Sequence, residues 1–116
     1  MFFTVVEFEL GIPGSKTLKD KRKVVLSVIT RLKKRYNIAI AEERKDERAE
    51  RARFYFVTLN SSERELDSTL SKIEDYLSNL PNAVLLSYQR ESMLICLLYT
   101  SPSPRDISGS RMPSSA

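Results

Sequence analysis

Nine lysines and arginines lie between Lys16 and Arg35, a segment whose one acidic residue is Asp20. The segment has a net charge of +8, whereas the other residues up to Glu91 sum to −5. Cations concentrated in this way can neutralise RNA phosphates and release counterions, which favours binding. The preceding turn, Gly11–Gly14, opens a predicted helix, and the N–H groups at a helix N-terminus also attract anions. The candidate nucleic-acid-binding residues are Lys16, Lys19, Lys21, Arg22, Lys23 and Lys34.

The same cations have a simpler interpretation, in which they only solvate the surface of a helix. Thr17 and Asp20 have the spacing of a capping box, so the N–H groups that begin the helix already have partners. Basic residues are poorly placed near the positive end of a helix dipole, so helix stability does not explain Lys19, Lys21 and Arg22. The sequence leaves both interpretations open.

Other chemistry has few candidate residues. The chain has no histidine and one cysteine, Cys96, so neither an internal disulfide nor a zinc or non-haem iron site is expected. Glu7 and Glu9 are two residues apart, where paired carboxylates could transfer protons, but we expect them to pair with the abundant lysines and arginines. The sequence therefore predicts a protein that is not an enzyme and that needs no cofactor or metal.

The apolar periodicity predicts the elements that position these residues. Residues 2–10 alternate as a strand, and residues 38–43, 53–59 and 83–89 form three more. Two helices are predicted, one after Thr17 and one after Ser62, and residues 44–51 form a charged surface loop. The order βαββαβ predicts an α+β, ferredoxin-like domain, in which a four-stranded antiparallel sheet carries two helices on one face and the first and third strands are central.

Helical spacing divides the first helix into two faces. The predicted apolar stripe, flanked by Val28, consists of Leu18, Val25, Ile29, Leu32 and Tyr36. Lys19, Lys23 and Lys34 lie on the opposite face. Lys21 and Arg22 fall near the edges of the stripe, so we expect their stems to pack over the end of the sheet and their charged heads to lie in water.

The sheet face away from the helices is a second candidate surface. Its predicted outward-facing apolar residues on the two central strands are Phe3, Val5, Phe54 and Phe56. Tyr55, Val57 and Leu59 are then predicted to be buried. Aromatic residues spaced by two resemble the base-stacking residues of RRM domains, although Arg53 and Tyr55 stand where that motif has small residues. Such a face can instead bury itself against a second copy of the chain, or remain exposed.

The segment Ile-Pro-Gly-Ser-Lys-Thr-Leu-Lys-Asp-Lys-Arg at residues 12–22, together with Tyr36–Glu42, resembles the YlxP-like family of small bacterial proteins, a domain of unknown function. The resemblance covers residues 1–91 and implies a ferredoxin-like fold. Genes of this family often lie beside translation-factor and ribosome-maturation genes, which implies a connection to RNA or the ribosome. Family members usually carry an aromatic residue in the segment that matches Asp46–Ala52, and this chain has none there.

These observations predict a non-enzymatic RNA- or ribosome-associated module that binds the phosphate backbone through its basic helix. The alternative is a protein-interaction or homodimerisation module that uses the apolar sheet face. No run approaches the roughly 20 apolar residues of a membrane span, and Phe2–Val6 is too short for a signal peptide. The cytoplasm is therefore the expected compartment, and no membrane partner is expected.

The C-terminal residues are expected to lie outside the fold. We predict a domain over residues 1–91 and a disordered tail over residues 92–116, because the part after Tyr99 is dense in serine and proline and has no apolar period. The run Cys96–Asp106 also resembles translated sequencing-adapter sequence, which would make the tail an artefact. A native disordered tail is the alternative.

Overall fold

Six elements follow one another in the order βαββαβ in the computed structural model, which describes residues 1–45 and 47–95. They are β1 (Phe2–Gly11), α1 (Leu18–Arg35), β2 (Ala39–Glu42), β3 (Arg51–Asn60), α2 (Glu63–Ser78) and β4 (Val84–Leu94). The strands form one antiparallel sheet in the order β2-β3-β1-β4, so β1 and β3 are central, as predicted. With two helices added, this is the predicted α+β, ferredoxin-like fold.

Both helices begin at the residues that the sequence predicts. Thr17 Oγ1 accepts a hydrogen bond from the backbone N–H of Asp20 (3.1 Å), and Ser62 Oγ accepts one from that of Glu65 (3.3 Å). The Asp20 carboxylate in turn accepts from the backbone N–H of Lys16 (3.2 Å). These bonds satisfy N–H groups that have no partner within a helix, so they fix where α1 and α2 start.

The core lies between the helices and one face of the sheet. On β1 the alternate residues Thr4, Val6, Phe8 and Leu10 are buried and point toward the helices. The buried residues of the two helices are Lys21, Val25, Val28, Leu32, Leu66, Leu70, Ile73 and Leu77. Leu18 is exposed, so the predicted stripe of α1 is wrong at its N-terminal end, where Lys21 is the buried residue instead.

The Tyr88 side chain links β4 to α2 through a hydrogen bond that its hydroxyl donates. Its Oη donates a hydrogen bond to the Leu70 carbonyl oxygen at 3.2 Å. Burial, and next the negative charge of Glu74, raise the pKa of Tyr88 to about 12. A tyrosine hydroxyl is already protonated at neutral pH, and the raised pKa keeps this hydrogen bond intact in more alkaline solution.

The last strand is longer than predicted. β4 pairs with β1 as far as Leu94, which lies opposite Phe2, so its last three residues follow Glu91, the predicted domain boundary. The backbone N–H of Ile95 also donates to the Met1 carbonyl oxygen at 2.8 Å. Residues 96–116 lie outside the described residues, and the predicted tail there stays a prediction.

Candidate nucleic-acid interface

The outward face of α1 carries an array of exposed cations. Because Val25, Val28 and Leu32 are buried against the sheet, the residues on the opposite side of the helix face solvent. Lys19, Lys23 and Lys34 lie on that side, as predicted. The exposed basic residues of α1 and of the turn before it, called here the basic face, are Lys16, Lys19, Lys23, Arg31, Lys33, Lys34 and Arg35.

In the part of the chain that the structure describes, the side chains of the basic face form no ion pair with a carboxylate. Within residues 1–45 and 47–95, the ion pairs closer than 4.0 Å involve other residues. The guanidinium of Arg35 lies over the Tyr36 ring, 5.8 Å from its centroid. Cations in the last turn of a helix are favoured by the helix dipole, but Lys16, Lys19 and Lys23 are at the opposite end. Helix stability therefore accounts for only the C-terminal part of the basic face.

Lys21 is not part of this face. Its residue surface is 0% exposed, so the prediction that its charged head lies in water is wrong. The physical reason is its position four residues before Val25, which places it on the buried line of the helix. A small depression of about 160 Å³ is lined by Lys21 and Arg22 from α1 and by Arg44 and Glu47 from the β2–β3 loop. The Lys21 side chain is therefore buried inside the domain, where RNA cannot reach it.

Arg22 is also engaged within the domain. Its guanidinium donates to the carboxylate of Glu42, the last residue of β2. The Glu42 side chain is 3% exposed and the Arg22 side chain 43% exposed, so the acid is buried and the base covers it. Sequence reasoning missed Glu42, although its position two residues after the inward-facing Ile40 was a signal that it points toward the helices.

The open face of the sheet, the face away from the helices, differs from the prediction on β3. Phe3 and Val5 point outward on β1, as predicted. Phe54 and Phe56 are buried, and the prediction that they point outward is wrong. The reason is the register, since Phe54 lies directly opposite Phe8, and directly paired residues of two antiparallel strands share a face. The outward apolar residues of β3 are the ones predicted to be buried, Tyr55, Val57 and Leu59.

Ion pairs lie at one end of the open face. Glu9 Oε2 lies 3.3 Å from Arg48 and 3.5 Å from Arg51, and Glu7 lies 3.5 Å from Arg53. Glu7 and Glu9 are therefore ion-pair partners, which is the role that the sequence favoured. The neighbouring Tyr55 side chain, and after it the carboxylates of Glu9 and Glu7, raise the pKa of Arg53. Together these residues make that end of the face polar and nearly neutral.

The described part of the chain contains no group of three or more potential metal ligands. None of the helices in that part is both long and apolar enough to cross a membrane.

Fold and surface together define a small ferredoxin-like domain that has one basic helix and an open, partly apolar sheet face. A family model described as "Protein of unknown function (DUF503)" matches residues 3–90, and the chain belongs to that family. A comparison with curated proteins gives no match.

Proposed function

We propose that this domain is a non-enzymatic accessory module that binds the phosphate backbone of RNA, in the setting of the ribosome, through the basic face of α1. The observation that carries the proposal is the set of seven exposed cations on α1 and the turn before it, while the rest of the domain up to Glu91 is net negative. Such a separation of charge orients the domain toward a polyanion and increases the rate of encounter.

Four of the six predicted RNA-binding residues remain in the proposal, namely Lys16, Lys19, Lys23 and Lys34. Lys21 and Arg22 act within the fold, and Arg31, Lys33 and Arg35 extend the face toward the C-terminus of α1. The resemblance to YlxP-like proteins supports the same setting, because their genes often lie beside genes for translation. Contacts of this kind are to phosphates, so they position the domain on RNA without reading its sequence.

The proposal predicts a salt-dependent loss of affinity when the basic face is neutralised. Replacing Lys19, Lys23 and Lys34 by glutamine removes three exposed charges and leaves the buried line of α1 intact. We expect affinity for a labelled RNA to fall several-fold at low salt. The slope of log affinity against log salt should flatten by up to about two units, at roughly 0.7 for each single-strand phosphate that the variant no longer neutralises. The measurement is a salt titration followed by fluorescence anisotropy.

The matched control removes the same charge elsewhere. Lys45, Arg64 and Lys72 are exposed basic residues in the β2–β3 loop and on α2. Replacing these three by glutamine should leave the slope close to that of the wild type. Equal losses in both variants would mean that only net charge matters, and an unchanged slope in the first variant would remove the proposal.

A second function, self-association through the open sheet face, is favoured by one observation. Val5, Tyr55 and Val57 expose between 37% and 40% of their surface, and Leu59 exposes 54%, on the two adjacent central strands. Apolar side chains grouped in this way often mark a protein interface. In this candidate function, two copies bury their open faces against each other.

Self-association predicts a concentration-dependent mass that a single charge abolishes. In the Val57→Lys variant, an ammonium group would be buried at the centre of the interface, so we expect the dissociation constant to rise at least tenfold, equivalent to about 1.4 kcal/mol. Sedimentation equilibrium measures this directly. The control is Leu26→Lys, which adds the same charge at an exposed apolar residue of the helix layer. A wild-type protein that is monomeric throughout the accessible concentration range would contradict this second function.

A further inference from the structure

The outer edge of β2 has backbone groups that no strand of the described residues uses. Within residues 1–45 and 47–95, β2 is at one end of the sheet and pairs with β3 alone. The backbone N–H of Glu43 donates to the Arg53 carbonyl oxygen at 2.8 Å, which fixes the alternation of the ladder. Residues 39 and 41 therefore also point their backbone groups at β3. Those of Ile40 and Glu42 point away from it, toward the free edge.

A groove lies beside this edge. It has a volume of about 430 Å³, and its apolar walls are Val25, Leu26 and Ile29 from α1 and Ile40 and Ala41 from β2. Leu26 is 67% exposed, so this groove wall offers apolar surface to solvent. Arg22, Glu42 and Arg44 line the remainder of the groove.

The edge has only some of the features that usually prevent strand addition. Natural edge strands carry lysine, proline or a bulge, or they point a charge inward. β2 has the sequence Ala-Ile-Ala-Glu, and its pairing with β3 has no register shift. Its single inward charge, Glu42, is neutralised by Arg22. The shortness of β2, four residues, limits the number of bonds that a further strand can form, but neither sequence nor register blocks such a strand.

The charges near β2 distinguish between two possible added strands, a second copy of β2 and a peptide. A second copy pairing antiparallel with β2 would be related by a two-fold axis perpendicular to the sheet, so both α1 helices would lie on the same side of the joined sheet. The exposed cations of the two basic faces would then lie on the same side of the joined sheet, which is repulsive. An extended peptide with acidic residues would instead meet Arg44 and the exposed lysines of α1 with complementary charge.

We propose that the β2 edge and the adjoining groove bind an extended acidic peptide segment of a partner protein by β-strand addition. The peptide backbone bonds to the N–H and carbonyl groups of Ile40 and Glu42. Its aliphatic side chains enter the groove against Leu26 and Ile29, and its acidic side chains lie near Arg44. In strand addition the main-chain bonds supply affinity and the side-chain pockets supply specificity. This inference does not rest on RNA binding.

The test uses the full 116-residue chain and a labelled probe peptide in which two aspartates precede alternating valines and threonines. We expect the probe to slow hydrogen exchange of the Ile40 and Glu42 amides at least tenfold, because these N–H groups gain acceptors. The Ala39 and Ala41 amides, which already face β3, should change little. Probe peptides that are N-methylated at alternate residues, or that carry lysine in place of aspartate, should bind at least tenfold more weakly.

Two protein variants separate the groove from general charge effects. Leu26→Glu places a carboxylate in the groove wall, whereas Ser27→Glu makes the same charge change at the next residue, which does not line the groove. We expect at least a tenfold loss of probe affinity for the first and less than a twofold loss for the second. Equal losses, or full affinity for the N-methylated probe, would overturn the proposal. Slow exchange at Ile40 and Glu42 that grows with protein concentration, or that an RNA causes equally, would assign the edge to a second copy or to nucleic acid and would also overturn it.

Discussion

Truncation of Phe54 to alanine is expected to lower the free energy of unfolding by about 3–5 kcal/mol, the usual cost of removing a buried aromatic ring. Phe54 is 0% exposed. Its ring stacks on that of Phe8 with centroids 4.7 Å apart, and Phe8 also meets Phe56 edge-on at 6.1 Å. The variant loses the buried area and the stacking of the two rings, and it leaves a cavity between the sheet and the helices.

The matched control is Tyr55→Ala, the same kind of truncation one residue further along the strand. Tyr55 points to the open face and is 37% exposed, so we expect a loss of at most about 1 kcal/mol, the range of a cross-strand pair. Urea unfolding followed by circular dichroism measures both variants. A larger loss for Tyr55→Ala than for Phe54→Ala would mean that β3 lies one residue out of the register described here.

The sequence could not decide which face of β3 is buried. The run Arg53–Leu59 has large apolar or aromatic residues at both odd and even positions. The alternation expected of a strand therefore fits equally well whether the odd or the even residues face the core. β1 is different, because Glu7 and Glu9 mark its outer face. Tertiary pairing resolves the ambiguity, since the register with β1 sets Phe54 opposite Phe8 and Phe56 opposite Val6.

The element order was predictable because each signal is local. Thr17 and Ser62 cap their helices through a residue three positions later, and the apolar periods lie within single elements. Two features of the candidate site are not local. Lys21 adjoins residues of the β2–β3 loop, and Arg22 pairs with an acid 20 residues away. A helical wheel gives the angle of such residues but not the loop or strand that covers them.

The corrected positions of Lys21 and Arg22 change how the basic helix is understood. The sequence placed both residues among six RNA-binding candidates and predicted charged heads in water, whereas in the structure Lys21 is buried and Arg22 pairs with Glu42 of β2. What remains is the solvent-exposed basic face, and the same helix also forms one wall of the β2 groove. RNA binding and peptide binding can therefore be tested with different substitutions on the same helix.

The ion pair between Arg22 and Glu42 gives the second large expected effect. Arg22→Met should lower the free energy of unfolding by roughly 2–3 kcal/mol, because it leaves the Glu42 carboxylate, 3% exposed, without its cation. The loss is below the 3–5 kcal/mol typical of a fully buried pair, since the Arg22 side chain is 43% exposed and solvent can reach that site. Glu42 Oε1 already lacks a hydrogen-bond partner among the described residues.

The double variant Arg22→Met with Glu42→Leu should recover most of this loss, because apolar side chains of similar size remove the buried charge altogether. Urea unfolding of the two single variants and of the double variant yields the coupling energy. Lys23→Met, one residue along the helix on the basic face, is the control and should change stability by about 0.5 kcal/mol or less. If Arg22→Met costs no more than this control, the ion pair does not stabilise the fold. If it also weakens RNA binding as much as Lys23→Met does, Arg22 belongs to the basic face as the sequence predicted.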